Sequence, residues 1–140
     1  APFIAADRGI KIVESKSDLA EDFASLIKLT IKTLESENIV SGTIYGKKMP
    51  RIVSINDFHL EAVPEGHNLF IHNQDKPGVI GIIGSTLGKE GINISRMQVG
   101  EDRGKNQNVI FLTTNAIVTD EVLEKLRSLE HIYSARKIEL

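Results

Sequence analysis

Residues 72–94 read HNQDKPGVIGIIGSTLGKEGINI, and the chemistry open to this chain is concentrated there. An Asp-Lys-Pro-Gly run leads into an apolar segment broken by glycines at 78, 81, 84, 88 and 91. Glycine at that density invites comparison with phosphate-cradling loops. The dinucleotide fingerprint needs G-x-G-x-x-G, with an acidic residue about 20 positions further on. Gly78, Gly81 and Gly84 instead give G-x-x-G-x-x-G with Pro77 at the entry, and no Gly-Lys-Ser/Thr follows. Neither nucleotide loop fits. Gly81, Gly84 and Gly88 are three and four apart, one stripe of a helix, where small residues let the helix lie close to a sheet or to a neighbour.

The entry turn, residues 73–79 (NQDKPGV), offers different chemistry. It joins a strand to the start of a helix, whose first N–H groups have no partner and favour an anion. Asp75 puts a carboxylate just ahead of them. Free N–H groups beside a carboxylate match a zwitterion: an amino acid's carboxylate goes to the N–H groups and its ammonium to Asp75. An Asp in that place also caps helices, and the residues leave both roles open.

Other chemistry is poorly supplied. With no cysteine, disulfides, thiol catalysis and thiolate metal sites are excluded. Of the four histidines, His67 and His72 are five apart on a strand and so face opposite sides, while His59 and His131 lie in other segments. None has metal-ligand spacing, and they read as surface or interface residues. No Ser-His-Asp arrangement carries its own context. The net charge of −2 argues against a nucleic-acid binder. No apolar run approaches the roughly 20 residues of a membrane span, and no signal-peptide pattern opens the chain. The expected location is the cytoplasm, with no membrane partner. The start at Ala1-Pro2-Phe3 reads as a cut from a longer polypeptide, and removal of an initiator Met before Ala would look the same.

The elements that position these residues fall into two halves. Residues 3–8 read as a helix end stopped by Gly9, 10–15 as a short strand, and 15–22 as a polar loop. Residues 26–34 alternate, and the row Ile27, Leu29, Ile31 is expected to be buried with Lys28, Thr30 and Lys32 solvated. Strands follow at 39–46, 51–55 and 58–63, mostly as hairpins. Pro64-Glu65-Gly66 marks a boundary, giving parts 1–65 and 66–140. Beyond it come a strand at 67–73 and a helix at 79–91 with apolar positions 79, 80, 82, 83 and 87. A strand over 92–100 sets Ile92, Ile94 and Arg96 against Asn93, Ser95 and Met97. Residues 101–107 form a hairpin tip, 108–116 a strand, 119–129 a helix capped by Thr119 or Asp120, and 131–140 a last strand. The fold class is α+β: a β-rich unit, then a ferredoxin-like βαββαβ unit. With both helices on one face of that sheet, a partner sheet, a second copy or the first half must cover the other.

The second half resembles the ACT domain, a small amino-acid-sensing module. The residues that carry the likeness are DKPGVIGIIGSTLGKEGINI: an acidic and a basic residue, Pro-Gly, an apolar helix, then Gly-Ile-Asn-Ile opening a strand. The segments ADRGIKIVES, VSGTIYG and PRIVSINDFHLEAVPEGHNLFIHNQDKPGV are similar to the intervening substrate-binding domain that precedes the ACT domain in the long-form D-3-phosphoglycerate dehydrogenase family.

The resemblance implies a regulatory fragment without catalytic residues of its own. The parent would be an NAD-dependent oxidoreductase of L-serine biosynthesis with its catalytic domains upstream. L-serine is then the feedback effector, held where two ACT domains pair side by side, in a homodimer or tetramer. Carried over, the contacts are Asn73 and Asp75 from the turn, backbone at Pro77, Gly78 and Val79, and Asn93 from the partner chain. Asn73 departs from the His or Tyr expected there. The part of the intervening domain present here is expected to be incomplete. Its anionic, phosphate-bearing ligands would meet Lys47, Lys48 and Arg51, a group that also reads as a solvated basic turn. Two rivals share the ACT module: the regulatory part of an L-serine dehydratase, which would need cysteines for an iron–sulfur cluster, and a free-standing amino-acid sensor.

Overall fold

The computed structural model describes residues 7–15, 23, 25–46, 48–102 and 106–139. Within the described residues the elements follow in the order β1 (Ile27–Lys32), β2 (Glu37–Tyr45), β3 (Met49–Ile55), β4 (Phe58–Ala62), β5 (His67–Gln74), α1 (Val79–Lys89), β6 (Ile94–Asp102), β7 (Gln107–Thr114), α2 (Asp120–Arg127) and β8 (Ile132–Glu139). The strands pair throughout antiparallel, in the order β1-β2-β3-β4-β6-β7-β5-β8. From β5 onward the order is that of the expected ferredoxin-like split βαβ unit. No described helix is long and apolar enough to cross a membrane.

The core lies between the helices and one face of β5–β8. Alternate residues of the central strands, Leu69 and Ile71 on β5 and Ile110 and Leu112 on β7, point into it. They meet Val79, Ile83 and Leu87 of α1 and Val122, Leu123 and Leu126 of α2. Of the five apolar positions expected along α1, Ile80 and Ile82 instead stand on its exposed side. α2 starts at Thr119, whose Oγ1 accepts from the N–H of Val122. The carboxylate of Asp120 in its first turn takes a 2.6 Å hydrogen bond from Lys137 Nζ on β8. That bond and the ammonium charge hold the Asp120 carboxyl below the usual carboxylate range.

The helix-free face is partly covered by the chain's own first half. Leu60 and Ala62 of β4 pack with Phe111 of β7, joined by Phe70 and Ile138. β4 pairs with β6 at one position, His59 with Glu101, so the sheet is narrow there and folds over. The crossing is close: a Cβ on Gly100 would sit 2.8 Å from the carbonyl oxygen of His59. Gly100 is the residue that lets β4 pass.

Three expectations from the pattern change. Residues 10–15 form no strand. Ile27, Leu29 and Ile31 are 74%, 58% and 54% exposed, because β1 is an outer strand with no layer packed on either face among the described residues. The alternation on β6 breaks, since its register on β7 shifts between Ile94 and Arg96. A bulge changes parity. Ile94 and Val99 therefore both face the core, and Arg96 leaves Ile94's side to meet Glu65, Nη1 to Oε1 at 2.7 Å. Gly9 does turn the chain, with φ of 68°. The helix end expected over 3–8 and the loop over 15–22 fall largely outside the described residues.

Two expectations follow. Gly100→Ala places a methyl against His59 backbone and destabilises the chain by about 2 kcal/mol or more, read as a lowered urea midpoint at unchanged slope. Asp120 has a depressed folded pKa, so its pairing with Lys137 contributes above the unfolded value, near ~4, and is lost as pH falls through the folded one. The melting-temperature gap between wild type and Asp120→Asn is therefore widest at neutral pH and closes in acid.

Candidate functional site

The entry turn closes the C-terminal end of β5. Gln74 N–H donates to His131 O at 2.8 Å, and Asp75 N–H to Asn106 O at 3.0 Å. The turn is thus tied to the α2–β8 connection on one side and the β6–β7 hairpin on the other. Gly78 is the N-cap of α1, with φ of 91° and no side-chain cap. Only glycine adopts that left-handed conformation without strain. Asp75 therefore does not cap the helix, and the capping role left open above falls to no side chain. Val79 N–H reaches back to Lys76 O at 3.4 Å, while the next N–H groups of the first turn have no helical acceptor.

Beneath the exposed Asp75 lies a polar pair. Asn73 and Asn108 are direct cross-strand partners on β5 and β7, 1% and 5% exposed, at the end of the row that Leu69, Ile71, Ile110 and Leu112 begin. Asn73 Nδ2 donates to Gln74 O at 2.8 Å, and Asn108 Nδ2 donates to Asp75 Oδ1 at 3.1 Å. The side-chain carbonyl oxygen of each is buried without a hydrogen-bond partner among the described residues. Chemically the turn offers N–H donors for an anion, one carboxylate, and two unmatched amide oxygens for a donor-rich group.

Asn93 is elsewhere. Its N–H donates to Asn115 Oδ1 at 2.9 Å and its carbonyl accepts from Asn115 N–H at 3.1 Å, just ahead of Ile94, which pairs with Thr114 beside His67. Asp75 and Asn93 thus flank opposite ends of β5, about 20 Å or more apart for an eight-residue strand. Within one chain the structure brings together Asn73, Asp75, Pro77, Gly78 and Val79, and leaves Asn93 out. Asn108 and Asn115 were missed by sequence reasoning. Parity on β7 was the only signal for Asn108, and it required the strand pairing.

The basic residues expected to meet an anion do not form one group. Lys47 lies outside the described residues, and Lys48 is exposed in the β2–β3 turn. Arg51 instead lines a cleft of about 720 Å³ with His59, Glu61, Leu60, Arg96 and Val99, where β3 and β4 meet β6. His72, on the helix-free face, has its ring 5.5 Å from that of Phe58 and 5.0 Å from that of Tyr133. Gly81, Gly84 and Gly88 lie inside α1, and a Cβ on any of them would meet nothing within 4 Å. They neither form a phosphate loop nor allow a close approach to the sheet, and they do not fit a dinucleotide such as NAD. Among the described residues, no group of three or more His, Cys, Asp or Glu is placed to hold a metal ion.

Comparison with known proteins places both halves. Residues 67–131 match the ACT domain model, and residues 1–56 match the model of the D-3-phosphoglycerate dehydrogenase intervening domain. Relatives named D-3-phosphoglycerate dehydrogenase include one from Archaeoglobus fulgidus, 35% identical over 98% of this chain, and one from Methanocaldococcus jannaschii, 34% identical over all of it. Another, from Bacillus subtilis, is 31% identical over 98% of the chain. The chain spans about a quarter of the length of these relatives, 26% of each. With its intervening-domain segment followed directly by a regulatory ACT domain, the chain belongs to the D-3-phosphoglycerate dehydrogenase family.

Proposed function

We propose that this chain is the effector-sensing part of a D-3-phosphoglycerate dehydrogenase and that it binds L-serine as feedback inhibitor between two ACT domains. The parts meet at residues 64–66. The oxidation itself, and NAD, belong to portions of the parent protein outside this chain. The observation that carries the reading is the separation of Asp75 from Asn93. No single chain can bring both to one small ligand. Two chains related by a two-fold axis, with their ACT sheets side by side, set Asp75 of one protomer opposite Asn93 of its partner, twice over. The effector's carboxylate then takes the N–H groups at the start of α1 and its ammonium takes Asp75. The exposed side of α1, with Ile80, Ile82 and the open glycine stripe, suits such a contact.

Serine that bridges two chains favours one inter-chain geometry over others. Its differential affinity for those geometries is the free energy available to inhibit a distant active site. A second ligand site is favoured by the cleft at Arg51, where Arg51 and Arg96 both line the cavity and their guanidinium groups suit a phosphate-bearing anion able to compete with Glu65 for Arg96.

Calorimetric titration of L-serine into the full chain tests the reading. Saturable binding is expected, weakened at least about tenfold in Asp75→Ala and in Asn93→Ala, since each removes polar contacts to a charged group. Equal mixing of the two variants restores intact sites only if each site is shared. Random exchange would recover about a quarter of the sites, one in every mixed dimer. No binding to a folded wild-type dimer, or no recovery on mixing, overturns the proposal.

A further inference from the structure

We propose that Asn108 is a place-holder for the effector's ammonium group and, when the effector binds, one of its ligands. The inference rests on the amino-acid reading above and assigns a residue that neither the motif nor the comparisons pick out.

The argument begins with amide orientation. Asn108 Nδ2 donates to Asp75 Oδ1. Turning that amide over would set its carbonyl oxygen against a carboxylate. Asn73 Nδ2 donates to Gln74 O, and turning that amide would oppose two carbonyls. Both orientations are therefore settled by their partners. Both leave a buried carbonyl oxygen without a donor among the described residues, and a buried acceptor left unmatched is costly. Two such oxygens on directly paired residues are an unusual expense unless something supplies their donors.

An ammonium group has three N–H donors, no acceptor and one positive charge. The turn holds three acceptors for it, the Asp75 carboxylate and the carbonyl oxygens of Asn73 and Asn108, with a single negative charge among them. In the free chain the Asn108 amide N–H₂ stands where the ammonium will go and satisfies Asp75 in its absence. An incoming amine displaces it. With Asp75 engaged by the amine, the Asn108 amide is free to turn and present its oxygen. The bond given up has one charged partner, the Asp75 carboxylate, whereas the ammonium–carboxylate bond gained has two and is the stronger. The site therefore selects a primary amine over a hydroxyl at the same carbon, because a hydroxyl brings one donor and no charge.

The test compares L-serine with L-glycerate, in which a hydroxyl replaces the ammonium, by titration into the full chain. Wild type is expected to prefer serine strongly. Asn108→Leu, near in volume and free of the orphaned oxygen, is expected to stay folded by circular dichroism. It should lose about tenfold or more in serine affinity while its glycerate affinity stays the same. Asn108→Thr keeps a neutral hydroxyl that can donate to Asp75 or accept from an amine, and should retain the preference for serine. Equal losses for serine and glycerate in Asn108→Leu, or an unchanged serine affinity, overturn the role of Asn108 and leave the effector reading standing. Loss of the preference in Asn108→Thr to the same extent as in Asn108→Leu overturns the acceptor role. A wild-type chain that binds neither compound overturns the effector reading, and this inference with it.

Discussion

Strand β5 is hydrogen-bonded along nearly its whole length on both edges, to β7 and to β8, and everything else in the second half is hung from it. A strand held on both sides cannot slip by one residue without turning its buried row out to solvent. Leu69 and Ile71 are wholly buried under the helices, so the register is not negotiable. The same constraint decides where the polar chemistry goes. Two residues beyond Ile71 the row must still point toward the helices, and the residue there is Asn73. The apolar layer therefore ends in a buried amide, with Asn108 beside it by the same pairing.

A second constraint acts on the opposite face. An antiparallel sheet can leave one side in water, but here β4 lies across part of that side and buries Phe111. The contact between the halves depends on a backbone crossing at Gly100, not on a long ladder. Such a joint is narrow in hydrogen bonds and tight in space. The cleft at Arg51 opens next to it, lined by His59, Leu60 and Glu61 of β4 and Arg96 and Val99 of β6. The entry turn lies beyond the far end of β5, tied to both neighbouring connections by backbone hydrogen bonds. Each candidate ligand site is thus bordered by a different part of the sheet.

Helix α1 links these parts. It begins on a left-handed glycine with no side-chain cap, which leaves its first N–H groups for something else. Three of its apolar residues enter the core, while Ile80 and Ile82 and the three glycines are left outside. Both features make sense in a module that completes itself against a second copy, which is the assembly proposed for it.

Much of the second half was legible in the sequence, because periodicity, Pro77 and the glycines at 78 and 91 report local backbone preferences. The βαββαβ order and a helix start at Thr119 or Asp120 follow from such local rules. The motif at 72–94 likewise placed Asn73, Asp75 and Gly78 in one turn, since they are neighbours in the chain. Three things only the tertiary structure decided. Alternation in 26–34 signals a strand but not which of its faces meets another layer, and at the outer strand β1 neither does among the described residues. The bulge after Ile94 exchanges the faces of β6, which no count of apolar residues discloses. The pairing of Asn73 with Asn108, like the separation of Asp75 from Asn93, depends on which strands lie side by side. Pairing joins residues distant in sequence, so their meeting is a property of the folded sheet.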